Sequence, residues 1–394
     1  MATLIINSSA EKSLNRHHPW IFSNAIKKIK GAPESGETVG VQTSKGHFLG
    51  YGSFSPQSKI KARMWTFDPE ELITPVFFRK KLKLALEKRK HLMFLQGSAF
   101  RVVNAESDGL PGLIIDKYND YLVCQFLSCG AEFWKADIVA CLIELFPIAG
   151  IYERSDNDGR EKEGLSQQTG GLWGKEPPDL IEIKEHDISF WVNIKTGHKT
   201  GFYLDQRENR ELLSTYAKEK KVLNCFSYTG GFSLWALKGG AASVTSIDIS
   251  EEAITLLQKN ASLNNMPPER ITVRCEDVFH TLRKFRDAAD QFDLIILDPP
   301  KFAASGQSVQ KAARGYKDIN LLAIKLLTPG GYLFTFSCSG HITPPLFQKI
   351  VSDAAIDAGR DAQIVKQLHQ ADDHPVALNF PEGLYLKGLL IRVF

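Results

Sequence analysis

Apolar and basic residues alternate through residues 59–67, K-I-K-A-R-M-W-T-F, with the period of two of a half-exposed strand. Just before it, residues 38–55 read as short strands broken by Gly40, Gly46, Gly50 and Gly52. Glycines at that spacing permit the tight turns of a small barrel. Asp68-Pro69 punctuates the chain, and residues 71–96 then change period. Phe77, Phe78, Leu82, Leu86 and Leu92 fall where one amphipathic helix presents an apolar face. Residues 100–192 form a second region: strands at 100–106, 113–120 and 121–128, a helix over 131–146, and a strand at 150–156. Residues 159–179 are polar, rich in Gly and Pro, and read as a loop or linker. A hairpin-like pair follows at 181–194.

From residue 195 onward strands and helices alternate. Strands are expected at 221–227, 243–250, 271–277, 292–298, 330–337, 362–368 and 386–394. Helical patterns occupy 230–238, 251–264, 310–327 and 344–358. Several of these strands are apolar throughout, as strands covered on both faces are. Seven strands with crossover helices predict a doubly wound α/β domain of Rossmann-like form. The expected organisation is a barrel at 1–70, a central α/β domain at 71–192 and the Rossmann-like domain at 193–394.

Composition narrows the function classes. The 394 residues are 43% hydrophobic and 24% charged, which is ordinary globular usage and excludes a mainly disordered or fibrous chain. No unbroken apolar run reaches the roughly 20 residues of a membrane span, and the N-terminus shows no secretory pattern. Six scattered cysteines, none in C-x-x-C, suggest neither a disulfide framework nor a zinc site, and a reducing cytoplasm is the simplest home. No metal is expected. The formal net charge of +3 hides an asymmetry. Residues 1–100 carry 16 Lys and Arg against 7 Asp and Glu, a net of +9, whereas the remainder is net −6. A basic front end suits a polyanion-facing module, although a solvated charged helix at 80–90 accounts for part of it.

The chemistry lies after residue 220. The first strand runs into N-C-F-S-Y-T-G-G-F-S (224–233), with Gly230 and Gly231 at the strand-to-helix turn. Neither G-x-G-x-x-G nor a Walker lysine is present, so the turn suits a nucleoside cofactor without phosphates. The second strand ends in Asp248, placed to accept from ribose hydroxyls. The third ends in Glu276-Asp277, placed for an adenine amino group, and the fourth in Asp298-Pro299-Pro300-Lys301-Phe302. An acidic residue at a strand end is usually just solvated. Four such landmarks at the carboxyl ends of parallel strands mark the crevice where open α/β sheets bind ligands.

Residues 220–340 thus resemble a class I S-adenosylmethionine-dependent methyltransferase. The resemblance implies a sheet of order 3-2-1-4-5-7-6 with strand seven antiparallel. It also implies a cofactor held by Phe226, Ser227, Tyr228, Gly230, Asp248, Asp277 and Asp298. Asp298-Pro-Pro-Lys-Phe resembles motif IV, beside the transferred methyl and the target base. Ser337-Cys338-Ser339 resembles motif VI of RNA cytosine-5 methyltransferases. Carbon 5 of cytosine is a poor nucleophile, and a thiolate added to carbon 6 makes it enamine-like. Cys338 would be that nucleophile, and Asp298 would hold a proton at N3. The plainer reading of Cys338 is a small buried hydrophobe, which is the reading given to Cys225 and Cys275. Many such enzymes carry a second cysteine in motif IV. Here Lys301 stands in its place, so the group that takes the carbon-5 proton is not identified.

Along nearly the full length, the chain resembles the RlmI family of bacterial 23S ribosomal RNA 5-methylcytosine methyltransferases. The carrying segments are R-x-H-P-W-I-F (16–22), E-S-D-G-L-P-G-L-I-I-D (106–116), T-G-F-Y-L-D-Q-R (200–207), F-S-Y-T-G-G-F (226–232), L-D-P-P-K-F (297–302), S-C-S (337–339) and H-P-V…F-P-E-G-x-Y-L-K (374–387). This resemblance implies an N-terminal PUA domain, 23S rRNA or a large-subunit precursor as partner, and a homodimer as one assembly. Arg16, Lys27, Lys28, Lys30, Lys59, Lys61 and Arg63 would contact phosphates. Trp20, Phe22 and Trp65 are read as barrel core in preference to base-stacking platforms. Gln206 or Arg207 would touch the methionine carboxylate or the RNA, unless Asp205 simply starts a helix. Two rivals share parts of this pattern. One is an exocyclic-amine enzyme such as a guanine-N2 methyltransferase, which needs no cysteine. The other is a non-catalytic RNA-binding or ribosome-assembly protein.

Overall fold

The computed structural model describes residues 1–95, 98–302 and 309–394, with the side chains of 91–95 left aside, so Leu92 lies outside the described side chains. The chain divides into two compact units. One comprises Met1–His186, Val192–Leu204 and Asp372–Gly383, the other Asp187–Trp191, Asp205–Ala371 and Leu384–Phe394.

In the first unit, strands Thr3–Ile6, Trp20–Phe22, Ile26–Lys30, Thr38–Gln42, Phe48–Phe54 and Ile60–Thr66 form one six-stranded sheet. Leu4, Ile6, Val39, Val41, Ala62 and Met64 fill its interior. Gly40, Gly50 and Gly52 lie inside strands rather than breaking them, and at Gly50 the reason is a close backbone approach: a Cβ there, at φ +130°, would stand 2.2 Å from the Thr66 carbonyl oxygen. A short helix, Ser8–Leu14, went unpredicted; the side chain of Asn7 caps it. Trp65 is buried, as expected of a core residue, and packs with Phe77 and Phe78 from the helix Pro75–Leu95. Trp20 is half-buried and Phe22 is 43% exposed. The expectation that all three belong to the core fails at Phe22, because strand Trp20–Phe22 lies at the edge of the sheet.

The central region is a five-stranded sheet. It contains Ala99–Asn104, Leu113–Tyr118, Tyr121–Phe126, Gly150–Ser155 and a strand that sequence patterning reads as loop, Gln168–Gly174. That last strand pairs antiparallel with Gly150–Ser155 at the sheet edge. An edge strand needs no large apolar residues on both faces, so Q-T-G-G-L-W-G forms one without the usual pattern.

The second unit carries a seven-stranded sheet. Its strands are β1 (Lys221–Cys225), β2 (Ser243–Asp248), β3 (Ile271–Cys275), β4 (Phe292–Leu297), β5 (Leu327–Ser337), β6 (Ala362–His369) and β7 (Lys387–Val393). The order is 3-2-1-4-5-7-6, with β1 to β5 parallel and β7 antiparallel to both neighbours. Helices are α1 (Arg207–Ser214), α2 (Gly231–Lys238), α3 (Glu251–Leu263), α4 (Val278–Asp287), α5 (Val309–Leu326) and α6 (Pro344–Ala358). Leu223, Ile295, Leu297 and Leu333 pack against one helical layer, and Val222, Leu294, Ile296 and Phe334 fill the other face. This two-sided burial is why the central strands are apolar throughout.

Candidate functional site

The carboxyl ends of β1 to β5 bring together the residues singled out by sequence. After β1 the backbone enters the left-handed region at Phe226 (φ +59°), Tyr228 (φ +47°) and Gly230 (φ +88°). Non-glycine residues held there mark a loop whose shape the surroundings impose. Asp248 imposes part of it. Its Oδ2 accepts from the Tyr228 amide at 2.8 Å and its Oδ1 from the Ser250 amide at 3.0 Å. A carboxylate has about four acceptor positions, so these bonds orient Asp248 and leave capacity for hydroxyl donors. Asn260, fully buried on α3, holds the turn from below: its Nδ2 donates to the Thr229 carbonyl at 3.0 Å, and its Oδ1 accepts from the Trp191 amide at 2.7 Å. Sequence reading missed Asn260, since nothing marks an asparagine in mid-helix as a loop anchor.

Gly230 and Gly231 stand at the strand-to-helix turn that the sequence assigns to a nucleoside cofactor. The structure gives them protein neighbours. A Cβ on Gly230 would lie 2.6 Å from Leu257 Cγ, and one on Gly231 would lie 3.0 Å from Arg210 Cδ. Positive φ and overlap act together at Gly230. We expect Gly230→Ala to destabilise the second unit by about 2 kcal/mol and to weaken S-adenosylmethionine binding. Urea unfolding and titration calorimetry check this, and unchanged values in both would refute the packing argument.

Asp277 caps α4, with Oδ1 accepting from the His280 amide at 2.8 Å. Glu276 is held below the usual carboxylate range by hydrogen bonds from Thr281 and Lys284. Gln206 is 2% exposed. Its Oε1 accepts from Asn209 Nδ2 at 2.6 Å, and Asn209 also donates to the His369 carbonyl, while Tyr385 donates to Asp205 Oδ2 at 2.7 Å. These bonds fix residues 205–209 on the ends of β6 and β7. Arg207 is buried at the start of α1, whose N-cap position is Gln206 with no side-chain cap bond, so the plainer reading of a helix capped by Asp205 is not met.

Three buried polar atoms near this edge have no hydrogen-bond partner among the described residues: Ser227 Oγ, Thr229 Oγ1 and Gln206 Nε2. Buried polar groups are rarely left without partners. Hydroxyl and amide donors of this kind suit the carboxylate and hydroxyls of an adenosyl amino acid, so the residues present fit S-adenosylmethionine.

Across the crevice, Asp298 is half-buried after β4 and Lys301 is exposed. The ring of Phe302 lies 4.7 Å from that of Tyr316 and 6.5 Å from that of Phe226. Cys338 follows β5 and is half-buried, resting against the apolar layer that contains Phe336. Cys225, by contrast, is fully buried, and its thiol pKa is pushed far up by burial. Cys275 is exposed, against the expectation that it is a packed structural thiol; β3 is an edge strand with an open face. Beneath the Cys338 loop, the buried Tyr316 hydroxyl lies 3.1 Å from Ser339 Oγ, and burial raises its pKa. Sequence analysis also missed Lys387. It is 6% exposed, and its Nζ donates to the carbonyls of Ser339 at 2.7 Å and Ile342 at 2.9 Å.

In the first unit, Arg16, Lys27, Lys28, Lys30 and Lys59 are exposed and Lys61 is half-exposed, donating to the Pro56 carbonyl. Arg63 is the exception. It is buried, and its guanidinium meets both Glu163 oxygens at 2.7 and 2.9 Å. Burial alone would raise the Glu163 pKa, but Arg63 and hydrogen bonds from Ser58 and Ser55 bring it below the ordinary value. Arg63 therefore serves as an internal tie rather than a phosphate contact.

Comparison with known proteins agrees with this geometry. Residues 4–67 match the PUA-like domain family, and residues 167–392 match the S-adenosylmethionine-dependent methyltransferase family. The chain is 52% identical to the ribosomal RNA large subunit methyltransferase I of Tolumonas auensis, covering 99% of both chains. It is equally identical to that of Aeromonas salmonicida, covering 97% of both. Among solved structures it is similar to SMU.776, assigned as a methyltransferase and complexed with SAH, at TM-score 0.88 and 26% identity over 100% of both chains. Among the described residues, no group of His, Cys, Asp and Glu is placed to hold a metal ion, and no helix is long and apolar enough to cross a membrane.

Proposed function

Because the chain belongs to the ribosomal RNA large subunit methyltransferase I family, we propose that it methylates carbon 5 of a cytosine in 23S ribosomal RNA through a covalent bond from Cys338 to carbon 6. The observation that carries this reading is the half-buried thiol of Cys338, one residue past β5 and neighbour to the Asp298-Pro-Pro turn past β4. S-adenosylmethionine bound at the β1 turn supplies an electrophilic methyl sulfonium. Ser227, Thr229, Gln206 and Asp248 would hold it, the first three through the polar atoms described above.

The protein's own part begins with the thiolate. Addition of Cys338 Sγ to carbon 6 forms an S–C bond and shifts the ring electron pair toward N3 and carbon 5. Asp298 meets the developing charge at N3 by hydrogen bonding or by lending a proton. Once carbon 5 carries its methyl group, loss of the carbon-5 proton expels the sulfur and restores the aromatic ring. Exposed Lys301 and the basic face of the N-terminal sheet would contact RNA phosphates. An exocyclic-amine methyltransferase shares the Asp-Pro-Pro turn but has no task for the sulfur.

The test uses RNA carrying 5-fluorocytidine, which cannot lose its carbon-5 substituent as a proton. Incubation with enzyme and S-adenosylmethionine should give a denaturation-resistant protein–RNA adduct, attached at Cys338 by peptide mass. Methyl transfer to natural large-subunit RNA with no adduct on the fluorinated RNA would sink the covalent reading.

A further inference from the structure

The antiparallel register of β5 and β7 sets Ser337 directly opposite Lys387. The chain then turns at Cys338, and Lys387 Nζ reaches the carbonyls of Ser339 and Ile342 just beyond that turn. A lysine that is 6% exposed is uncommon, and two neutral carbonyls do not balance its charge.

We propose that Lys387 is a positioning residue for Cys338: its ammonium ties down the 337–342 loop and keeps a positive charge beside the thiol, lowering the thiol's hold on its proton. The inference rests on the reading of Cys338 as nucleophile. The thiol proton leaves to solvent, which the half-buried sulfur meets. Lys387 keeps its own three protons, so it acts as a fixed charge and not as the base.

The surroundings are consistent with this division of work. Burial pushes the Lys387 pKa down to about 8, the charge on Cys338 works against that fall, and Lys301 adds to it. Lys387 is thus mostly charged at pH 7 and loses its charge as pH rises past about 8. Other titratable groups on the surrounding elements are Tyr316 on α5, which burial keeps neutral, Asp298 past β4, and exposed His341 within the loop.

The test is the rate of Cys338 alkylation by iodoacetamide as a function of pH, read peptide by peptide on the full chain. Exposed Cys275 serves as internal reference. Lys387→Gln keeps donors for the two carbonyls but removes the charge, Lys387→Met removes both, and Lys387→Arg keeps the charge. Both neutral variants should raise the Cys338 midpoint by about one unit, an about tenfold slower reaction at pH 7, and Lys387→Arg should restore it. Should Lys387→Met fail to fold, Lys387→Gln decides. An unmoved Cys338 midpoint in folded Lys387→Gln overturns the proposal. Because this readout needs no RNA, it is independent of whether Cys338 attacks cytosine.

Discussion

A Cys338→Ala enzyme is expected to lose cytosine-5 methyl transfer by at least about a thousandfold while binding S-adenosylmethionine as tightly as the parent. The size of the loss follows from the chemistry. Without a nucleophile at carbon 6, carbon 5 of cytosine has too little electron density to attack a methyl sulfonium, and no positioning by the other residues replaces that density. The retained binding follows from the structure. Ser227, Thr229, Gln206 and Asp248 gather around the β1 turn and α1, whereas Cys338 stands past β5. Cys225, sealed within β1, cannot substitute, since burial holds its thiol protonated. Transfer of labelled methyl to large-subunit RNA gives the rate and calorimetry gives the affinity. Full turnover by the variant would favour an exocyclic-amine target. Loss of binding together with turnover would mean that Cys338 supports the fold.

Much of this was legible before any coordinates. The central strands of the second unit follow the apolar runs within a few residues, because they are buried on both faces and leave an unmistakable mark, and the exposed edge strands β3 and β6 were placed by their regular spacing after them. The strand-end residues were legible for a related reason: a polar residue closing an apolar run must sit at the sheet's edge. What escaped reading depends on partners far away in sequence. Arg63 looks like the other cations of its alternating strand, and only Glu163, 100 positions on, makes it internal. Strand Gln168–Gly174 exists because Gly150–Ser155 offers it an edge. Lys387 closes a motif that sequence alone reads as part of a signature, and its work is set by the register of β5 against β7. Helix α4 was missed although its apolar residues Val278, Leu282 and Phe285 are buried at helical spacing; the polar residues between them masked a short helix.

The same dependence on distant partners makes one buried ion pair a stability determinant of the first unit. Arg89 donates to both Asp108 oxygens, at 2.9 and 2.8 Å, and to the Asp373 carbonyl at 3.0 Å. Asp108 Oδ2 also accepts from the Asn104 amide at 2.7 Å, and the Asp373 carboxylate accepts from the Arg101 amide at 2.9 Å. Arg101 in turn grips both oxygens of Asp116. Asp372–Gly383 is thereby fastened onto the central sheet of its own unit. Replacing Asp108 with alanine leaves a buried guanidinium and a backbone amide without their acceptor. We expect that to cost about 3–5 kcal/mol, far more than an exposed ion pair contributes. Replacing Arg89 and Asp108 together with leucine residues should cost less than either single change, because no charge is then left buried alone. Urea unfolding followed by probes in the first unit measures both. Single and double variants of equal stability would show that the pair contributes nothing beyond its volume. A double variant less stable than both singles would show that the hydrogen bonds to Asn104 and Asp373, and not the balance of charge, hold this segment in place.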